Sequence, residues 1–176
     1  MNVRRFILLL ALLLPALAAD PFTARVVRVI DGDTIAVEAP GHIFKVRLFG
    51  IDCPESRQEG GPEATWFTTN MVLDRSVTVI ERDMDRYGRV VADIVLPDGR
   101  VLNKELVRSG NAWWYWKYDR ADTELEALEA HAREVRLGLW AASNPLPPWE
   151  WRKAGHAVSH RASRRSEPRS EPRSQR

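Results

Sequence analysis

Two β-branched runs meet at Asp31-Gly32-Asp33 in the stretch ARVVRVIDGDTIAVEA (24–39), and no other feature constrains the fold of this chain as much. Valine, isoleucine and threonine are stiff at χ1 and pack well on a pleated surface, and the Asp-Gly pair supplies a short polar turn, so the segment predicts an antiparallel hairpin. After Pro40-Gly41 the run HIFKVRLFGI predicts a third strand. Its alternation sets Phe44, Val46 and Leu48 on one face and Lys45, Arg47 and Phe49 on the other, so Arg47 points away from the side that Val46 and Leu48 bury. SVTVIERD and RVVADIVL add two more strands, joined by the tight connection Asp85-Arg86-Tyr87-Gly88-Arg89.

Helical periodicity appears in three places. Pro62 opens a helix to about Leu73, with Ala64, Phe67 and Met71 at helical spacing. A turn at Pro97-Asp98-Gly99 leads into a short helix in VLNKELVRSG. A third helix starts at Asp122-Thr123, with Thr123 and Glu126 as a capping box, Leu125, Leu128, Ala132, Val135 and Leu139 on one stripe, and Gly138 as its stop. Five short strands with about three α-helices make a mainly β, α+β domain. They suit a five-stranded barrel of the oligonucleotide/oligosaccharide-binding (OB) kind, and an open α+β sheet fits the same elements.

A chain of 176 residues has room for one ordinary domain. Residues 1–19 read as a signal peptide outside it: MNVRR is a basic start, FILLLALLL a short apolar run, and PALAA a small-residue cleavage site. The alternative, an uncleaved anchor, asks for roughly 20 apolar residues, more than this run offers before Pro15. The expectation is therefore an exported protein, periplasmic or secreted, without stable membrane association once the leader is removed. Residues 20–152 form the domain, and 153–176 read as a disordered basic tail. The formal charge is +2; taking out the leader's two arginines and the net four positive charges of 161–176 leaves −4 for residues 20–160. Nucleic-acid binding thus cannot be argued from overall charge. Cys53 has no cysteine partner in the chain, so the core and not a disulfide must hold the domain. It is a free thiol, an intermolecular bridge, or a residue present for its backbone.

Chemistry concentrates at strand ends. RLFGIDCPE (47–55) carries an arginine and two carboxylates around a stiff Cys53-Pro54, and Asp31-Gly-Asp33-Thr34 lies at the hairpin. Antiparallel strands bring these two clusters together and offer several carboxylate oxygens to a hard cation, Ca²⁺ in preference to Mg²⁺. Taken alone, Asp31-Gly32-Asp33 is also ordinary turn chemistry. Arg47 and Arg89 each lie beside an acidic turn, and a guanidinium fork matches phosphate oxygens. Glu55 is then the group that orients or deprotonates water, completing the set that phosphodiester hydrolysis needs.

In order along the chain, DGDT (31–34), RLFGIDCPE (47–55), GPEA (61–64), DRYGR (85–89), LVRSG (106–110) and GLW (138–140) resemble the thermonuclease family, the staphylococcal or micrococcal nuclease-like proteins, over about residues 24–151. The resemblance implies a five-stranded barrel with three helices and a Ca²⁺-dependent endonuclease acting on DNA and RNA, leaving a 3′-phosphate. By motif, the catalytic residues are Arg47, Glu55 and Arg89, and the metal ligands are Asp33, Asp52 and the main-chain oxygen of Cys53. The protein is expected to act as a monomer. This chain differs from the best-known member in having cysteine at 53, a shorter loop from Ser56 to Gly60, and the aromatic segment NAWWYWKYD (111–119). Of Trp113, Trp114, Tyr115, Trp116 and Tyr118, at least half are expected in the core and one or two against nucleotide. In PLPPWEWR (145–152), Trp149 or Trp151 is expected to pack back onto the domain. Lys104, Lys117 and Arg120 read as solvated surface, and His156/His160 as binding nothing specific. The rival reading is a non-catalytic OB module that holds nucleic acid or oligosaccharide, since fold does not give function.

Overall fold

The computed structural model describes residues 20–118 and 120–155. Residues 1–19, expected to be a signal peptide, and residues 156–176, with the histidines at 156 and 160 and most of the expected tail, lie outside the described residues. The hairpin forms as its residue types require: β1 (Phe22–Asp31) and β2 (Thr34–Ala39) pair antiparallel, with Asp31 opposite Thr34 across Gly32-Asp33. β3 (His42–Leu48) continues the meander. A two-residue strand β4 (Ile51–Asp52) follows, then helix α1 (Gly61–Val72), β5 (Ser76–Met84) and β6 (Val90–Val95). The main sheet closes into a barrel in the order β1-β2-β3-β6-β5. Two register shifts in β1, between Val26 and Arg28 and between Val29 and Asp31, give the strand the bend that closure needs. β3 and β6 pair in parallel, Val46 opposite Val90, and so align the ends of the strands that carry Arg47 and Arg89.

The barrel interior is aliphatic: Val26, Ile35, Val37, Val46, Val79 and Ile94 are fully buried. α1 has Pro62 in its first turn and buries Ala64, Thr68 and Val72, with Phe67 and Met71 half-buried against the core. α2 (Leu102–Arg108) brings in the buried Asn103. Its Nδ2 donates to Phe49 O and Ala92 O, and its Oδ1 accepts from Ile94 N, so one amide ties the segment after β3 to β6. A small ladder absent from the five-strand expectation pairs β4 with β7 (Trp113–Trp114).

The third helix, α3 (Thr123–Glu134), corrects two expectations. Its cap is Asp122, not Thr123: Asp122 Oδ1 accepts from Glu124 N and Leu125 N, so the side chain one residue earlier meets the open amides. Its stop is Arg136, not Gly138. Arg136 takes φ 57°, and the bonds Leu137 N to Ala132 O and Arg136 N to Arg133 O close a Schellman turn without glycine. Val135 is consequently exposed and leaves the stripe. Gly138 serves a different purpose. A Cβ there would lie 2.5 Å from Gly110 O, while Leu139 N donates to that same oxygen, so LVRSG and GLW meet backbone to backbone. Beyond the 3₁₀ turn Gly138–Ala141, residues 148–155 form a further helix, α4, so helical structure continues past residue 152.

Candidate active site

The hairpin turn is bolted in place before any of its side chains act. Thr68 Oγ1 of α1 donates to Gly32 O at 2.6 Å, and Asp33 O accepts from Leu48 N. A side chain at Gly32 would run into Ala64 and Cys53, so this turn residue is glycine for want of space. Asp33 Oδ2 accepts from Cys53 N at 2.6 Å, which joins the turn to the segment after β4. Asp33 and Asp52 are 6% and 1% exposed, a depth at which a carboxylate needs a counter-charge. Arg47 supplies it. Leaving β3 on the side away from Val46 and Leu48, its guanidinium pairs Nη1 with Asp33 Oδ1 and Nη2 with Asp52 Oδ1.

Each titration direction follows from this crowding. Burial pulls the Arg47 guanidinium down, but Asp33 and Asp52 outweigh it and hold the arginine charged. Asp31 is pushed up to about 7, first by burial and then by the charge of Asp33. Burial also pushes Asp52 up, opposed by Arg152 and Arg47. The Cys53 thiol is buried and driven well above its usual range by burial and by Asp33, so it stays protonated. The thiol is free, and its carboxylate neighbours disfavour a thiolate.

An open cleft of about 900 Å³ gathers the remaining residues. Glu55 and Arg89 both line it, with Asp31, Asp33, Arg47, Asp52 and Cys53. Arg89 Nε donates to Asp85 Oδ2 at 2.7 Å, and the Tyr87 ring lies beneath the guanidiniums of Arg86 and Arg89. The structure thus brings Arg47, Glu55, Arg89, Asp33, Asp52 and Cys53 to one opening. Of the aromatic segment, Trp113 is buried against Trp140 and Trp114 half-buried against the barrel core, whereas Tyr115 and Tyr118 line the cleft. Trp116 lies at the surface between Lys117 and Arg120, and Lys117 also reaches the cleft wall. Trp149 is the tryptophan of α4 that packs back, with its ring 5.4 Å from Tyr115, while Trp151 is 38% exposed.

Sequence reasoning missed Arg152. It reaches the cleft from α4, donating Nη2 to Asp52 Oδ2 and Nη1 to Glu55 Oε1, both at 2.7 Å. Separated from Asp52 by 100 positions, it has no local motif to mark it. The sequence signal was only the Trp149 anchor beside it.

The donor chemistry at the turn fits a hard divalent cation: buried carboxylates of Asp33 and Asp52, a third carboxyl in Asp31 that burial and the charge of Asp33 push up, and no soft ligand beside them except the protonated Cys53 thiol. Among the described residues no group of three His, Cys, Asp or Glu side chains is arranged to hold a metal ion. Two carboxylates therefore need main-chain and water oxygens to fill a coordination shell.

A closed five-stranded barrel whose strand ends converge carboxylates and guanidiniums on one cleft defines a protein of the nuclease-barrel class. The family model described as "Staphylococcal nuclease homologue" matches residues 45–142, and the chain belongs to this family. Among its relatives, an uncharacterized endonuclease of Escherichia coli is 42% identical over 138 residues, covering 78% of this chain and 89% of that protein. A micrococcal nuclease of Shigella flexneri is 39% identical over 142 residues, 76% of this chain and 82% of the other. The staphylococcal-like nuclease CAN1 of Arabidopsis thaliana is 44% identical over 110 residues, 62% of this chain and 33% of its own length.

Proposed function

We propose that this nuclease is an exported, monomeric, Ca²⁺-dependent endonuclease that hydrolyses phosphodiester bonds of DNA and RNA and leaves 3′-phosphate products. The observation that carries the reading is the convergence of Asp33, Asp52, Glu55, Arg47 and Arg89 on one cleft, together with family membership. Asp33, Asp52 and the main-chain oxygen of Cys53 would hold the cation, which supplies charge neutralisation at the scissile phosphate. Glu55, whose side chain lines the cleft and is 39% exposed, would take a proton from a water there. That water's oxygen bonds to phosphorus, the bond from phosphorus to the 5′-oxygen breaks with its electron pair going to that oxygen, which takes a proton from a cleft water and leaves as the 5′-hydroxyl, while Glu55 returns its proton to solvent. Arg89 and Arg47 meet the negative charge that grows on the phosphoryl oxygens. The leader sequence MNVRRFILLLALLLPALAA supports export.

Incubating the purified protein with DNA and RNA, in chelator and then with calcium, tests the reading. Cleavage is expected to vanish in chelator and return with Ca²⁺, with 3′-phosphate ends. Full activity with Mg²⁺ in calcium-free buffer overturns the metal assignment. Tight binding without any cleavage returns the chain to a nucleic-acid-binding module.

A further inference from the structure

The matched family region ends at residue 142, yet α4, beyond it, places a guanidinium on two of the residues that the proposed chemistry requires. This placement is anchored. Gln58, itself buried, donates Nε2 to Leu146 O at 2.5 Å and pins the approach to the helix. Trp149 seats the helix against Trp113 and Tyr115. From that seat Arg152 forks over Asp52, Nη1 to Oδ1 at 3.2 Å and Nη2 to Oδ2 at 2.7 Å, and Nη1 also holds Glu55 Oε1.

The oxygens of Asp52 are then largely spent. Oδ1 accepts from both Arg47 and Arg152, and Oδ2 accepts from Arg152. A divalent cation on the same carboxylate would face a guanidinium within a few ångströms in a half-buried cleft, where like charges repel far more strongly than in water.

We propose that Arg152 sets the site's affinity for its cation: it occupies Asp52 and Glu55 as an internal counter-ion, must leave both for the metal to bind, and so fixes the calcium threshold of the enzyme. The inference rests on the Ca²⁺-nuclease reading above. It makes α4, which lies beyond the residues 45–142 matched by the family model, a working part of the metal site. Arg47 does not duplicate this role, because it enters from the barrel side and also neutralises Asp33.

The test is calcium binding by calorimetry, with the calcium-induced rise in melting temperature as a second readout, on wild type, Arg152→Ala, Arg152→Gln and Arg152→Lys without nucleic acid. Removing a charge-assisted contact to a carboxylate that the metal needs is expected to tighten Ca²⁺ binding by roughly 10- to 100-fold in the Ala and Gln variants. Their metal-free forms melt lower than wild type, and calcium raises their melting temperature more. Lysine retains the charge without the fork, so Arg152→Lys falls between them and wild type. If the alanine variant does not fold, the glutamine and lysine variants carry the same comparison. Equal or weaker calcium affinity in the folded variants, with wild type binding calcium, overturns this inference and leaves the nuclease reading standing. Absence of calcium binding in all four proteins overturns the metal assignment and the inference with it.

Discussion

Arg47 has two obligations that separate on mutation. It faces the cleft where a phosphate is proposed to bind, and it is also the partner of two nearly inaccessible carboxylates. Arg89 pairs with the half-buried Asp85 in the turn between β5 and β6 and lies over the Tyr87 ring, away from those two carboxylates. Glu55→Gln, Arg47→Ala and Arg89→Ala are each expected to cut turnover by at least roughly 100-fold, read from kcat on a defined DNA substrate, since a positioned base or transition-state donor is worth about that much. Only Arg47→Ala should also unfold easily. Breaking a buried ion pair by removing one partner leaves uncompensated charge and costs on the order of 3 kcal/mol. Calcium should restore part of that loss by replacing the missing positive charge, which melting curves with and without metal will show. Wild-type turnover in all three variants would make these residues structural charges. Cys53 belongs to a different category: buried, protonated and crowding Gly32, its sulfur is packing material, while its backbone N–H donates to Asp33 Oδ2.

At the scale of elements, α3 holds the aromatic ladder through one carboxylate. Glu129 Oε1 accepts from Trp114 N at 3.1 Å and Oε2 pairs with Arg133 at 3.0 Å, linking α3 to β7 and thereby to β4, which carries Asp52. Burial pushes the Glu129 carboxyl above its ordinary 4.5, with Arg133 and the Trp114 amide pulling it down. The sign follows: the folded state holds this proton more tightly than the unfolded chain, so stability falls as pH rises from the unfolded value through the raised folded one. Glu129→Gln keeps an acceptor for Trp114 N and has nothing to titrate. Its melting temperature is therefore expected to vary less than that of wild type from about pH 4 upward, and to gain on wild type across that window. Parallel melting curves for the two proteins at every pH would remove Glu129 from the account.

For the molecule as a whole, local patterns carried the barrel and distant contacts did not show in them. The hairpin at Gly32, the alternation of β3 and the proline opening α1 were legible because turn chemistry and side-chain period act over a few residues. The β4–β7 ladder was not, since two-residue strands have no period. Nor was the end of α3, where a non-glycine residue accepts the left-handed conformation and Gly138 is reserved for its approach to Gly110. Arg47, Glu55 and Arg89 stood out as charges at strand ends, while Arg152 needed the tertiary path through Trp149 to become visible. Charge is the remaining whole-chain property, and it divides the protein in two: residues 20–160 carry −4, against which residues 161–176 set six arginines and two glutamates. An acidic domain acting on a polyanion benefits from a basic segment that releases counter-ions from it, a sequence-independent attraction that weakens steeply with salt. Deleting residues 161–176 is accordingly expected to leave kcat nearly unchanged, because Arg47, Glu55 and Arg89 all lie in the barrel cleft, and to raise KM for long nucleic acid at low salt. With a net four positive charges removed, the slope of log KM against log salt should flatten by roughly three to four. Short oligonucleotides that fill only the cleft should show little change. Equal salt slopes for the full and truncated chains on long DNA would leave the arginines without a part in substrate capture.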